Sequence, residues 1–446
     1  GGGYIYPLGA YYLALSKSGA VKRLPLRSTL ENPDALGRIY LAGRFISAAA
    51  LLGICAMAAL ILLRRCPECP PAAAVAAVLS LPAAVIYSHY LTPHLWAAFW
   101  GLAAVYFLLA ALPELRLKPL LGSAICLAFS AGSYWSALHT GLIVAAVLLS
   151  RGRADLDGRA SRRLLLAAAA GLLAFFALNP YLPFNWSAAV YEIFPGGSSP
   201  WGNSLSELHS FFTGTLPGVA GPAMAFLLPA GCVWGLFSGR PLLRNVSAAV
   251  LLLLVPVALA VPTTFPAGIR RFFPWLVTGA LMGTVFLLRM TARLRPAWRT
   301  AVLAAALLPG LFLSAAYLAG FADASGPRST FRRMADKLDS MPAGLPLGMT
   351  DFPQPASMPA FRLDRWRLRF ADLPTLRGSA VKDLPGYLLV NFEHKEALSG
   401  LLASRYSLYA GFYPRGIPGF TPDFFLCSAN PPIELYKLKT GSADQP

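Results

Sequence analysis

Arg270 and Arg271 stand side by side in the stretch Thr263-Thr264-Phe265-Pro266-Ala267-Gly268-Ile269-Arg270-Arg271-Phe272-Phe273-Pro274-Trp275. A guanidinium is a planar fork of donors that matches a phosphate bidentately and stays charged at any relevant pH. The pair therefore reads as a phosphate-binding element, with snorkelling to lipid headgroups as the plainer alternative. A second polar group lies in Tyr87-Ser88-His89-Tyr90-Leu91-Thr92-Pro93-His94, where His89 and His94 flank a proline turn between long apolar segments. Imidazoles in such a turn can move a proton, bond sugar and phosphate oxygens, or ligate a metal. Tyr90, with Tyr87 and Thr92, adds hydroxyls. Metal ligation is the weakest of these readings, because a site needs more donors than the turn supplies. A divalent cation stays an option with no ligand set attached, and no other cofactor is predicted. Glu192 and Asn179 are weaker site candidates; a solvated loop acid and a helix stop are their plain readings.

Apolar helices must position these groups. Hydrophobic residues make up 56% of the chain, charged residues 13%, and mean hydropathy is +0.55. A soluble surface cannot be built from that mixture, and the chain reads as an integral, multi-pass membrane protein. Apolar stretches fall at 39–63, 72–88, 94–112, 119–135, 137–150, 164–180, 216–238, 245–262, 274–288 and 301–320. The fourth and fifth are short, two spans or a re-entrant pair, and contribute an even number of crossings either way. No paired halves and no broken spans are evident in the pattern.

Basic residues then fix the orientation. One set of alternate loops holds Arg64, Arg65, Arg116, Lys118, Arg151, Arg153, Arg159, Arg162, Arg163, Arg240, Arg244, Arg289, Arg293, Arg295 and Arg299, fifteen in all, whereas the opposite short loops hold only Arg270 and Arg271. The rich set marks the cytoplasmic side, so the histidine turn, the arginine pair, the segment before Ile39 and the tail after Phe321 face outward. Fifteen bases less the four acids of those loops supply eleven of the eighteen net positive charges, and the tail adds three, fifteen bases less twelve acids. The basicity reports orientation, and nucleic acid is not expected as a partner.

The organisation is tripartite: an outer first segment, 1–38, with interfacial helices; a multi-span domain, 39–320; and an extracytoplasmic α/β domain, 321–446. In the first, Tyr4, Leu8, Tyr11, Tyr12 and Leu15 share a helical face suited to the headgroup layer. Because the chain opens on Gly1-Gly2-Gly3 with no Met, residues upstream and an eleventh span in the full chain are expected. The segment 181–215 reads as a long outer loop. In the tail, Phe331–Met341 and Glu393–Ser404 read as helices, and 366–370, 387–392 and 433–438 as strands. Cys66-Pro67-Glu68-Cys69 has redox or metal spacing, but no second pair accompanies it, which favours a structural role. No Gly-x-Ser-x-Gly elbow, His-Glu-x-x-His or Walker loop occurs.

Taken together, Tyr6-Pro7-Leu8-Gly9-Ala10-Tyr11-Tyr12, Ser88-His89-Tyr90-Leu91-Thr92-Pro93-His94, Leu178-Asn179-Pro180-Tyr181, Arg270-Arg271 and Asn430-Pro431-Pro432-Ile433-Glu434-Leu435-Tyr436 resemble the GT-C superfamily of polyprenyl-phosphate-sugar-dependent glycosyltransferases. The likeness is to the protein O-mannosyltransferase and aminoarabinose-transferase relatives in particular. It implies transfer of a sugar from a polyprenyl-phosphate-linked donor to a protein, lipid or glycan acceptor at the outer face of a bacterial inner or plasma membrane, in contact with membrane lipid. The resemblance places a catalytic carboxylate in the first outer loop; here that residue is either upstream of Gly1 or absent, with the upstream position expected, so the base is unassigned. Arg270 and Arg271 take the phosphate, His89, His94 and Tyr90 the leaving group or sugar, and Tyr6 joins Glu192 and Asn179 as a weaker candidate. The competing readings are a flippase for lipid-linked sugars and a nonenzymatic membrane scaffold.

Overall fold

The computed structural model describes residues 2–21, 33–134, 139–151, 157–184, 205–260, 272–350, 359, 361–370, 375–376, 383–414 and 430–439. The chain divides into two compact units, Gly1–Ala14 with Ala42–Ala315, and Leu15–Leu41 with Ala316–Pro446.

The helices run in order α1 (Gly2–Lys17), α2 (Pro33–Arg65), α3 (Pro71–Leu79), α4 (Pro82–Ser88), α5 (Pro93–Ala111), α6 (Leu117–Ser133), α7 (His139–Leu149) and α8 (Gly158–Leu178). Then come α9 (Leu205–Ser210), a π-helical turn Phe211–Thr215, α10 (Leu216–Ala220), α11 (Pro222–Leu236), α12 (Pro241–Ala260), α13 (Phe273–Met290) and α14 (Pro296–Ser325). Pro71, Pro82, Pro93, Pro222, Pro241 and Pro296 each open their helix, where a fixed φ is an advantage and the missing N–H would have had no partner. The expected outer loop at 181–215 is therefore shorter than read, since helix begins at Leu205.

Five helices among the described residues are long and apolar enough to cross a membrane: α2, α5, α8, α13 and the run starting at Pro296. Two bent pairs, α3 with α4 at 71° and Leu208–Ala220 with α11 at 108°, bring the number to seven if each is one span. The helices Leu117–Ser133, His139–Leu149 and Pro241–Leu254 are apolar but shorter. Broken spans, not evident in the sequence, are thus a feature of the fold. The sharper break is at Gly221, whose φ of 84° is left-handed and whose place a side chain could not take, because a Cβ would lie 3.0 Å from both the Gly310 Cα and the Ser80 carbonyl. The break at Ser80 is filled in turn: the Ser314 hydroxyl donates to the Leu79 carbonyl at 2.8 Å.

Small residues bring the helices together. Ser130 and Ser123 of α6 donate to the Ala97 and Ala104 carbonyls of α5, both at 2.8 Å. Gly231 of α11 faces Gly283 of α13, where a Cβ at Gly231 would sit 2.7 Å from the Gly283 Cα, and Gly279 of α13 takes the Leu228 side chain of α11. That is backbone-to-backbone packing of the kind lipid-embedded helices use. Trp275 of α13, fully buried, donates its indole N–H to the Val250 carbonyl of α12 at 2.8 Å.

The basic loops gather at one end of this unit. Arg65 donates to the Leu109 carbonyl, Arg151 to Leu112 and Arg163 to Glu114, and Arg289 pairs with Glu68. Loops that charge alone assigned to one side are therefore tied to one another.

The second unit carries α15 (Thr330–Asp339) and a five-stranded sheet of β1 (Pro346–Met349), β2 (Arg367–Phe370), β3 (Tyr387–Asn391), β4 (Tyr406–Phe412) and β5 (Ile433–Leu438). The strand order is β2-β1-β3-β5-β4, with β1 parallel to β2 and β3 and the other pairs antiparallel. Period-two alternation splits the core: Leu389, Ile433 and Leu435 pack with Met334 and Leu338 of α15, whereas Leu388, Val390 and Tyr436 pack with Leu398 and Leu402. The helix expected over Glu393–Ser404 is broken into α16 (Phe392–Lys395) and α17 (Ser399–Arg405).

Glu434 of β5 is 3% exposed and is satisfied by Lys395 Nζ at 2.8 Å, the Tyr413 hydroxyl at 2.5 Å and the Tyr436 hydroxyl at 2.6 Å. Burial pushes its carboxyl up, but these three donors outweigh it and hold the carboxyl below the ordinary 4.5. A depressed carboxylate stabilises the fold above its unfolded value and loses that contribution as pH falls through the folded one. Glu434→Gln is therefore expected to destabilise the fold by roughly 2 kcal/mol at neutral pH, the scale of a charge-assisted hydrogen bond. Thermal melts should show its deficit shrinking below pH 4.5, the ordinary carboxyl value; a deficit constant with pH would refute the ionised state.

Candidate functional site

The turn with the two histidines is built by α4 and α5. Helix α4 stops at Ser88, whose hydroxyl donates back to the Val85 carbonyl at 2.7 Å, and the Ser47 hydroxyl of α2 holds the Tyr90 carbonyl at 2.8 Å. His89 Nδ1 lies 2.9 Å from the Val85 carbonyl. A carbonyl only accepts, so Nδ1 carries the proton and Nε2 is left as the acceptor nitrogen. Burial lowers the His89 pKa from its ordinary 6.5, and the nearby Arg44 charge adds to that, against the Val85 hydrogen bond. His89 is therefore neutral at pH 7, suited to accept a proton or a hydroxyl hydrogen.

His94 is in the first turn of α5 and is buried, at 6% exposed. Its ring meets Tyr134 edge-on at 4.5 Å between centroids and Tyr87 at 6.1 Å. Tyr87 in turn touches Tyr90 at 6.5 Å and Phe273 at 6.4 Å. Phe273 opens α13, and Phe272, just before it, lies 5.4 Å from the ring of His139.

Arg270 and Arg271 lie outside the described residues, as does Glu192. The residues that follow the arginines in the chain, Phe272 and Phe273, belong to the aromatic cluster around the turn. Helix α1 joins the same end. Gly3 and Tyr4 are buried, and the Gly3 carbonyl accepts the Trp96 indole N–H at 2.9 Å. The face expected to meet headgroups is thus the one packed on protein, while Ile5, Tyr6 and Leu13 are exposed. Asn179 caps α8, with Nδ2 donating to the Phe175 carbonyl at 3.0 Å and Oδ1 accepting the Gly2 N–H at 3.3 Å. Its observed work is to tie α1 to α8.

Tyr134 and His139 are the residues sequence reasoning passed over as site neighbours. Both stand at helix ends facing the same side as His94, a signal available from span boundaries. Among the described residues no three His, Cys, Asp or Glu side chains gather to hold a metal ion. The cluster supplies aromatic walls, a neutral imidazole and a buried imidazole, beside the start of the helix that Arg270 and Arg271 precede.

No protein-family model matches the chain, and no curated protein matches it. Among solved structures it is similar to ArnT from Cupriavidus metallidurans in the apo state, with 13% identity and a TM-score of 0.50 over 94% of this chain and 87% of that one. It is similar also to the same protein bound to undecaprenyl phosphate, with 13% identity and a TM-score of 0.51 over 94% and 88%. The Archaeoglobus fulgidus oligosaccharyltransferase is more weakly similar, with 12% identity and a TM-score of 0.42 over 82% of this chain and 58% of that one. Over most of its length the chain has the fold of ArnT.

Proposed function

We propose that this protein is a membrane glycosyltransferase that moves a sugar from a polyprenyl-phosphate donor to an acceptor at the outer face of a bacterial plasma membrane. In this reading the chain crosses ten times, with the sheet-bearing tail outside. The observation that carries it is the meeting of the His89–His94 turn, through Tyr87, with Phe273, at the start of the helix that Arg270 and Arg271 precede. The arginines take the phosphate, whose charge grows as the anomeric bond breaks, and His89, His94 and Tyr90 bond sugar and leaving-group oxygens. Lipid-linked donors suit a site at bilayer depth, and ArnT, with the same fold, has been crystallised with undecaprenyl phosphate.

A flippase is favoured by the two bent helix pairs, since transporters place broken helices at their substrate sites. Here the breaks are packed with Ser314, Gly310 and Gly221 rather than opened to a polar path. The donor class is testable by thermal melting in detergent. Undecaprenyl phosphate at a hundredfold excess over its Kd should stabilise the protein by about 2.7 kcal/mol, and neutral undecaprenol should not. Equal effects of the two would remove phosphate recognition from the account.

A further inference from the structure

The glycosyltransfer reading leaves Cys66-Pro67-Glu68-Cys69 without a role. The segment is the turn between α2 and α3, at the end where the basic loops gather. The Cys69 N–H donates to the Cys66 carbonyl at 2.7 Å, closing a four-residue turn. Such a turn holds its first and last Cα within about 7 Å, which overlaps the span a disulfide bridges. Both cysteines are buried, at 5% and 1% exposed, while Pro67 and Glu68 between them are exposed. The thiols therefore lie tucked beneath a surface turn, and Cys66 also lines an apolar cavity of about 90 Å³ with Leu62, Leu109 and Val147.

Two features make the two sulfurs unlike. A hydrogen bond from the Cys69 thiol, against burial, lowers Cys66 to about 7, with Arg289 and Arg240 adding positive potential. The same hydrogen bond, with burial, raises Cys69. Zinc would require further donors, and among the described residues no third His, Cys, Asp or Glu joins the pair.

We infer that Cys66 and Cys69 form a redox-active dithiol that exchanges with external thiol–disulfide couples. The Cys66 thiolate attacks one sulfur of a disulfide R–S–S–R, the old S–S bond breaks, and RS⁻ leaves to take a proton from water. Cys69 then loses its proton to solvent, and its sulfur attacks the Cys66 side of the mixed disulfide, expelling the second RS⁻. Two cysteine thiols are oxidised by two electrons, and one external disulfide is reduced to two thiols. The Glu68–Arg289 ion pair clasps the turn over the sulfurs, so reaction requires that pair to open.

The test is titration of the whole protein in detergent with glutathione disulfide, quenched with N-ethylmaleimide and read by peptide mass. The peptide holding both cysteines should lose two hydrogens and both alkylation sites, reversibly with dithiothreitol, while the buried Cys55, Cys126 and Cys232 stay reduced. Cys69→Ser should stop at a glutathione adduct on Cys66, and Cys66→Ser should leave Cys69 unmodified. Glu68→Gln, which releases the clasp without touching either thiol, should speed oxidation several-fold. A peptide that stays doubly alkylated across the titration, in the native and Glu68→Gln proteins alike, overturns the inference. So does an adduct that never resolves to the internal disulfide.

Discussion

If the proposed transfer is the activity, Arg271→Ala is expected to lower kcat/KM for a polyprenyl-phosphate sugar donor by about 10²–10³-fold, the loss that follows when one donor to a developing anion is removed. Negative charge on the leaving phosphate is greater in the transition state than in the bound donor, so kcat should fall at least as much as KM rises. Arg271→Lys keeps the charge and loses the planar fork, and should retain part of the rate. Arg270→Ala is expected to act in the same direction, and the double variant to leave only background transfer. Folding is the control: the variants should elute and melt like the parent protein. Parent-like turnover in Arg271→Ala would return both arginines to snorkelling among ordinary headgroups.

Gly283→Leu should be strongly damaging inside the bundle. A Cβ at Gly283 would lie 2.8 Å from the Leu227 backbone carbonyl, and the obstacle is main chain, which cannot swing aside as a side chain would. Helices α11 and α13 would have to part, losing the contacts that Gly231 and Gly279 permit. Overpacking typically costs 1–3 kcal/mol, and this contact should reach about the top of that range. The matched control is Gly141→Leu, on α7, where a Cβ meets nothing within 4 Å. That variant should be neutral or slightly stabilised through helix propensity. Thermal midpoints in detergent check both; equal midpoints for the two would contradict the packing of α11 on α13.

Much of the framework was legible because membrane helices declare themselves twice, by apolar length and by the charge of the loops between them. Each of the ten apolar stretches holds a helix, and proline marked many of the starts. The bends at Ser80 and Gly221 were hidden because apolar composition runs straight through both, and only the left-handed φ at Gly221 and its contact with Gly310 reveal the second. In the tail, β3 and β5 were readable from alternation. β1 was missed because Pro-Leu-Gly-Met looks like a turn, and β4 because its register slips between Leu408 and Ala410. The candidate site was legible only as a turn. His89 and His94 stood out by type and place, and the arginine pair, which lies outside the described residues, by charge; the ring partners Tyr134 and Phe273 are distant in sequence and meet His94 and Tyr87 only through packing. For the same reason Asn179, read as a helix stop or a site residue, also proved to be a tether to Gly2.

The most direct measurement places the protein in liposomes with a radiolabelled polyprenyl-phosphate sugar and an acceptor mixture extracted from the outer face of a bacterial membrane. The account predicts label passing to acceptor with one polyprenyl phosphate released per sugar, and no transfer when only nucleotide sugar is supplied. Intact donor moved across the bilayer with its label still attached would contradict it.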